Sequence, residues 1–206
     1  MPPDQTTRIA TLTGAAIEPY LPALARLRIA VFRDWPYLYD GDEAYEAGYL
    51  RAYIDSPRAA VVVAFDGDTP VGASTCIPLA DETGNVTAPF AARGWALERF
   101  FYFGESVLLP AWRGRGIGVD FFAAREAHAR AASDCDFAAF CAVVRPEDHP
   151  ARPAGAVPLD TFWRKRGYTR RADVACAMSW KEVGAVEETE KRLAFWMKSL
   201  TGAALP

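Results

Sequence analysis

The chain has 206 residues, 51% of them hydrophobic and 24% charged, with a net charge of -3 at neutral pH. That length can bury one sizeable core, and the balance is ordinary for a globular protein. The slight acidity argues against a nucleic-acid partner, and no apolar run approaches the roughly 20 residues that span a bilayer, so no membrane partner is expected either. Met1 to Arg8 is polar and proline-containing, unlike a signal peptide. Cys76, Cys135, Cys141 and Cys176 form no CxxC pair and read as reduced core thiols of a cytoplasmic protein. With only His128 and His149 available, no metal site is expected.

Arg8 to Leu12 alternates polar and apolar residues and predicts a first strand. From Ala15, the spacing of Tyr20, Leu24, Leu27 and Val31 predicts a helix that ends before Pro36. Asp42 caps a second short helix, with Tyr45, Tyr49, Leu50 and Tyr53 available for packing. Ala59 to Phe65 and Val71 to Pro78 read as a hairpin joined at Asp66-Gly67-Asp68. A helix from Pro89 is expected within Asn85 to Glu98, followed by a long aromatic strand in "RFFYFGESVLLP", Arg99 to Pro110. Ile117, Phe121, Ala124 and His128 mark a helix to about Ala132, and Phe137 to Val144 a buried strand. After the proline-rich loop Arg145 to Pro158 come a short helix at Asp160 to Arg166 and a strand from Asp173 to Val183. A final helix is expected over Glu187 to Leu200, with Leu193, Trp196, Met197 and Leu200 on one face. Docked on the chain's own body it gives a monomer; used as an interface it gives a homodimer. The alternation of strands and helices with one hairpin predicts an α/β domain with a mixed sheet, undivided over 1–206.

"LLPAWRGRGIGVDFF", Leu108 to Phe122, packs three glycines and two arginines between a strand and a helix. Such a junction can cradle phosphate: backbone N–H groups converge at the helix N-terminus, and glycines let a ligand approach the backbone. Gly118-Val119-Asp120 lacks the Lys-Ser/Thr pair of a P-loop, and Val119 stands where a dinucleotide fingerprint needs glycine. Gly104-Glu105-Ser106 fails as a nucleophile elbow because Leu108 takes the second glycine position.

Arg113-x-x-Gly116-x-Gly118 at a strand–helix junction resembles the acyl-CoA motif of the GNAT (general control non-repressible 5-related) N-acetyltransferases. "LLPAWRGRGIG" resembles that family's junction, and "FWRKRGY", Phe162 to Tyr168, the helix it places after its fifth strand. With the order of elements, the resemblance covers roughly Thr7 to Lys181. It implies a centrally splayed mixed sheet and acetyl-CoA as acyl donor. The donor's pantetheine arm would pair with the backbone at Val107 and Leu108, and its pyrophosphate would lie on Arg113, Gly114, Arg115, Gly116, Ile117, Gly118 and Val119. A free N–H near Leu108 would stabilise the oxyanion. The implied reaction is direct acetyl transfer to a small-molecule or amino-acid-like amine. Protein acetylation, a non-catalytic acyl-CoA sensor and a nucleotide-phosphate protein are the alternatives.

An attacking amine must be deprotonated, and Glu105, the only carboxylate in its strand, is the candidate base. Its apolar neighbours would disfavour its charged form. Alternation puts Glu105, Val107 and Leu109 on one face and Gly104, Ser106 and Leu108 on the other. Many family members carry an acidic tyrosine where this chain has Trp163, whose indole N–H cannot serve, and Tyr168 reads as core. Phe32 to Asp42, with Arg33, Asp34, Asp40 and Asp42 among four aromatics, and His149 with Asp148 are candidate acceptor-site elements. The basic cluster Arg164, Lys165, Arg166, Arg170 and Arg171 reads as a solvated face.

Overall fold

A computed structural model describes residues 7–206, so all but the last two residues of the polar Met1–Arg8 stretch lie outside the described residues. The strands are β1 (Arg8–Leu12), β2 (Ala60–Asp66), β3 (Thr69–Pro78), β4 (Phe100–Leu108), β5 (Phe137–Val143), β6 (Thr169–Lys181) and β7 (Glu188–Ser199). They form one sheet in the order β1-β2-β3-β4-β5-β7-β6. Every neighbouring pair is antiparallel except β4 with β5, so the sheet is mixed, as the alternation of elements predicts.

Helices α1 (Leu21–Phe32), α2 (Glu43–Asp55) and α3 (Gly84–Ala91) cover one face. The other face carries α4 (Ile117–Ala132) and α5 (Asp160–Arg164). The coverage explains the uninterrupted apolar run of β2: Val61, Val63 and Phe65 face α1, while Ala60, Val62 and Ala64 face α4.

Several predicted elements differ from the structure; among the strands, the one expected from Asp173 to Val183 runs from Thr169 to Lys181. The final helix is the strand β7, which lies between β5 and β6 with Leu193, Ala194, Phe195, Trp196 and Met197 all buried. The spacing of Leu193, Trp196, Met197 and Leu200 matches one helix face, but a strand covered on both sides is apolar at every position and imitates it. Trp196 and Met197 are therefore core, which removes the exposed face on which the dimerisation expectation stood. The first helix opens with a 3₁₀ turn at Gly14–Tyr20, since Pro19 and Pro22 delay the α-helix to Leu21. The helix expected from Pro89 is Gly84–Ala91, with Pro89 inside it and a separate 3₁₀ turn at Leu97–Arg99. The Asp160 helix stops at Arg164, two residues early.

The sheet is irregular at its centre. β4 and β5 pair only over Phe100–Tyr102 and Phe137–Ala139. Beyond those residues β4 stays on β3 through Leu108 and β5 stays on β7 through Val143, so a gap opens between the two parallel strands.

Trp196→Ala is expected to cost about 3–5 kcal/mol in chemical denaturation, as for other fully buried aromatics. A cost below about 1 kcal/mol would contradict a central β7.

Candidate active site

Glu105 reaches its place through a β-bulge. Ser106 pairs with Ser74 and Phe103 with Cys76, so Thr75 alone opposes both Gly104 and Glu105. The extra residue turns Glu105 onto the α1 and α2 face, which Val107 also faces. Gly104 shares that face, contrary to the simple alternation. A Cβ there would lie 2.4 Å from the Thr75 hydroxyl and 2.5 Å from that of Tyr53, so only glycine fits. On the opposite face the buried Arg125 guanidinium approaches the Thr75 and Glu105 carbonyls (3.5 and 3.4 Å) and lies over the rings of Phe103 and Phe122.

The Glu105 carboxylate is 8% exposed but not isolated, which corrects the expected apolar surroundings. It forms an ion pair with Arg28 Nη1 and accepts from Tyr49 Oη (3.0 Å) and Thr75 Oγ1 (3.0 Å). Arg28 Nε donates to Glu46, which is fully buried. Burial would by itself lower the Arg28 guanidinium's hold on its proton; Glu105, Tyr49 and Glu46 outweigh it and keep the group above the usual arginine range. Two carboxylates share one guanidinium, so this buried group carries one excess negative charge.

Tyr49 and Tyr53 extend the cluster. Their hydroxyls are 2.9 Å apart, and Tyr53 Oη donates to Glu82 Oε1 at 3.5 Å. Burial raises the Glu82 carboxyl above the ordinary range, and the nearby Glu105 charge adds to it. Burial and Glu105 likewise raise both phenols, which stay protonated. Tyr45, by contrast, is 64% exposed.

The glycine junction is the second half of the candidate site. Gly114 and Gly116 have φ of 79° and 87°, and Gly116 is the left-handed residue that opens α4. Val119 and Asp120 donate to the Gly116 carbonyl; among the described residues, the N–H groups of Gly114, Arg115, Gly116, Ile117 and Gly118 meet no acceptor. A Cβ at Gly114 or Gly116 would meet nothing within 4 Å, so the backbone is open to a ligand, and the helix N-terminus favours an anion there. Ile117 is buried against β2 and anchors the turn, while Val119 is 42% exposed. Arg113 Nε folds back on the Leu108 carbonyl (3.1 Å), and Arg115 lies over the Trp112 ring with Nη2 on the Ala111 carbonyl. The Leu109 N–H donates to Val71 O, so ladder alternation turns the Leu108 N–H away from β3 and toward the gap.

The other candidates are mostly committed to structure. Asp42 caps α2, and Asp40 pairs with Lys181 and Arg33. His149 rests its ring on Trp35 and accepts the Ala151 N–H, instead of meeting Asp148. Trp163 packs on Phe140 and Trp196, and Tyr168, 2% exposed, donates to Glu126. Within the basic cluster, Arg166 and Arg171 bond backbone carbonyls, and Arg171 also pairs with Asp173. The four cysteines are free and buried. Among the described residues no helix is long and apolar enough to cross a membrane.

The profile of the GNAT acetyltransferase family matches residues 24–154, more than half the chain, from α1 through the gap and the glycine junction. The chain belongs to the GNAT acetyltransferase family. No curated protein matches it in sequence. Among solved structures, yncA of Salmonella typhimurium, determined with acetyl-CoA, covers 98% of each chain at 14% identity and TM-score 0.58. The ribosomal-protein-alanine N-acetyltransferase of Brucella melitensis covers 93% of this chain and 99% of its own at 16% identity and TM-score 0.60. The aminoglycoside N-acetyltransferase AAC(6')-Iy, in complex with CoA, covers 81% and 87% at 14% identity and TM-score 0.51. At such identities the likeness is one of fold, and the splayed mixed sheet is a GNAT sheet.

Arg28, Glu46, Thr75 and Glu82 belong to the candidate site around Glu105 and are passed over by the sequence reading. One signal was available: Arg28 falls four residues after Leu24, on the apolar stripe of α1, where a charge needs a buried partner. Arg28→Met strips the counter-charge from two buried carboxylates, and urea denaturation is expected to read a loss of about 3–5 kcal/mol. An unchanged midpoint would contradict the shared ion pair.

Proposed function

We propose that this GNAT protein is an acetyl-CoA-dependent N-acetyltransferase that moves an acetyl group directly to a primary amine of a small molecule. The observation that carries the reading is the gap between β4 and β5, which has an anion cradle at its mouth and the Glu105 carboxylate on its α1 and α2 side. Acetyl-CoA would supply a thioester carbonyl. Its phosphates suit the free N–H groups of Gly114 to Gly118, with Arg113 and Arg115 beside them. Its pantetheine amides suit the open β4 edge at Leu108, next to Val107 whose own backbone groups face Ala73 of β3, and the gap-facing Leu108 N–H would donate to the carbonyl oxygen.

Glu105 serves as base. The excess negative charge of Glu46, Arg28 and Glu105 attracts an ammonium, and one proton taken by Glu105 leaves Arg28 and Glu46 as a balanced pair. The small size of the acceptor rests on the roof of that face. The α1–α2 loop is bonded to the β6–β7 turn, with Asp40 N donating to Lys181 O (2.9 Å) and Val183 N to Leu38 O (2.7 Å). Arg145 and Trp180 Nε1 both donate to the Tyr37 carbonyl. An extended polypeptide lying between loop and turn would have to break these bonds.

One observation favours a second reading, an acyl-CoA sensor without turnover: no hydroxyl stands at Trp163, and that of Tyr168 is spent on Glu126. Titration calorimetry with acetyl-CoA and thiol release against aliphatic monoamines, polyamines, amino acids, aminoglycosides and peptide N-termini separate the two. Gly116→Asp, which puts a carboxylate in the cradle, is expected to weaken acetyl-CoA binding by an order of magnitude or more. Glu105→Gln is expected to bind acetyl-CoA normally and to lose about 10²–10⁴ in turnover. Binding without turnover on any amine would establish the sensor; no binding at all would remove the donor.

A further inference from the structure

A buried base needs a way to discharge. Acetylating an ammonium releases one proton to solvent overall, because the amine gives up two and the departing thiolate takes one back. Glu105 is 8% exposed and enclosed by Arg28, Tyr49 and Thr75, so while donor and acceptor cover its remaining open side a proton on it has no direct path to bulk water.

We infer that Tyr49, Tyr53 and Glu82 form a proton relay that carries the proton from Glu105 to the protein surface. The inference rests on Glu105 being the base. Four oxygens lie in series: Glu105 Oε2, Tyr49 Oη at 3.0 Å, Tyr53 Oη at a further 2.9 Å, and Glu82 Oε1 at a further 3.5 Å. The first two links are of ordinary hydrogen-bond length and the last is long. Three gaps separate the four oxygens, yet with both carboxyls ionised the two phenols supply only two protons. One link is therefore always empty at rest, and either phenol can be the donor in the tyrosine–tyrosine contact.

At rest Tyr49 donates to Glu105 and Tyr53 to Glu82, so the empty link is the tyrosine–tyrosine contact; a proton arriving on Glu105 displaces the Tyr49 O–H, which turns to Tyr53 and fills it. The amine N–H bond breaks and an O–H bond forms on Glu105; Glu105 then donates to Tyr49, Tyr49 to Tyr53, and Tyr53 to Glu82. When all three protons shift one place along the series, Glu105 is ionised again and Glu82 holds the proton, with every gap still filled. No phenolate accumulates and nothing is oxidised or reduced. Glu82 is only partly buried, so it can release the proton to water, and Glu105 is ready for the next amine.

The surroundings suit this exit. Thr83 donates its N–H (3.1 Å) to Glu82, and Glu105 faces it from β4. Tyr102 on β4, Cys141 on β5 and Cys176 on β6 lie within its electrostatic reach, and no cation is paired with it among the described residues. Its raised proton affinity suits a group that must accept a proton and then lose it.

The test uses the full chain with acetyl-CoA and the amine panel above. Tyr53→Phe removes one hydroxyl and Glu82→Ala the terminal carboxylate; each is expected to lower kcat at least about 10-fold, within the usual range for proton-transfer groups, with KM for acetyl-CoA unchanged. Added formate, a small carboxylate, is expected to restore turnover to Glu82→Ala but not to Tyr53→Phe, a rescue that a packing defect would not show. If Glu105→Gln is inactive while Tyr53→Phe and Glu82→Ala keep full kcat, the relay is overturned and the base stands. If Tyr53→Phe and Glu82→Ala lose kcat but formate rescues neither, the two are structural and the relay is again overturned. If Glu105→Gln turns over like the wild type, or the wild type acetylates no amine of the panel, base and relay fall together.

Discussion

One extra residue in one strand organises this molecule. Because Thr75 faces two residues of β4, the side-chain alternation of that strand changes phase between Phe103 and Ser106. Without the bulge, Glu105 would point with Phe101 and Phe103 into the apolar layer beneath α4. With it, the carboxylate meets Arg28 and Tyr49 on the opposite face. The irregularity is held from both sides: Gly104 lets Thr75 and Tyr53 close in, and Arg125 gathers the two carbonyls that the disturbed ladder leaves.

Burying Glu46, Arg28 and Glu105 together is costly unless the groups find partners. The cluster draws those partners from three elements at once, although Glu46 Oε1 stays without a hydrogen bond among the described residues. Arg28 comes from α1, Glu46 and Tyr49 from α2, Thr75 and Glu105 from the sheet. Docking the helices on the sheet and assembling the charged site are thus one event. The same economy ties the glycine junction to the fold, since Ile117 is at once the first residue of α4 and part of the core under β2.

Much of this was legible in the residues, and the rest was hidden for physical reasons. The junction from Leu108 to Phe122 can be read because positive-φ glycines and a helix start leave marks on composition. The hairpin, β4 and β5 are readable because their apolar runs are bounded by turns. β7 misleads because a strand buried on both faces carries no period of two, leaving helix and strand templates equally matched at Leu193, Trp196 and Met197. The bulge is invisible because it is a relation between Thr75 and two residues some thirty positions away. For the same reason Glu105 looks solitary in its own strand: its partners Arg28, Tyr49 and Thr75 lie far along the chain.

The gap between β4 and β5 has one more implication. It leaves unpaired backbone in the middle of a sheet, where a passing polypeptide strand could in principle add itself, the hazard usually met at sheet edges. Here geometry guards against it. The two strands meet at Tyr102 and Ala139, so the opening is a wedge, and a full strand needs close to 4.8 Å on each side along its whole length. At the mouth, Arg113 already occupies the Leu108 carbonyl and sets a positive charge at the entrance. A thin arm with two amides and an anionic end, such as the one proposed to lie there, would enter where a peptide would not, so the shape suited to the proposed donor also guards the protein against its own kind.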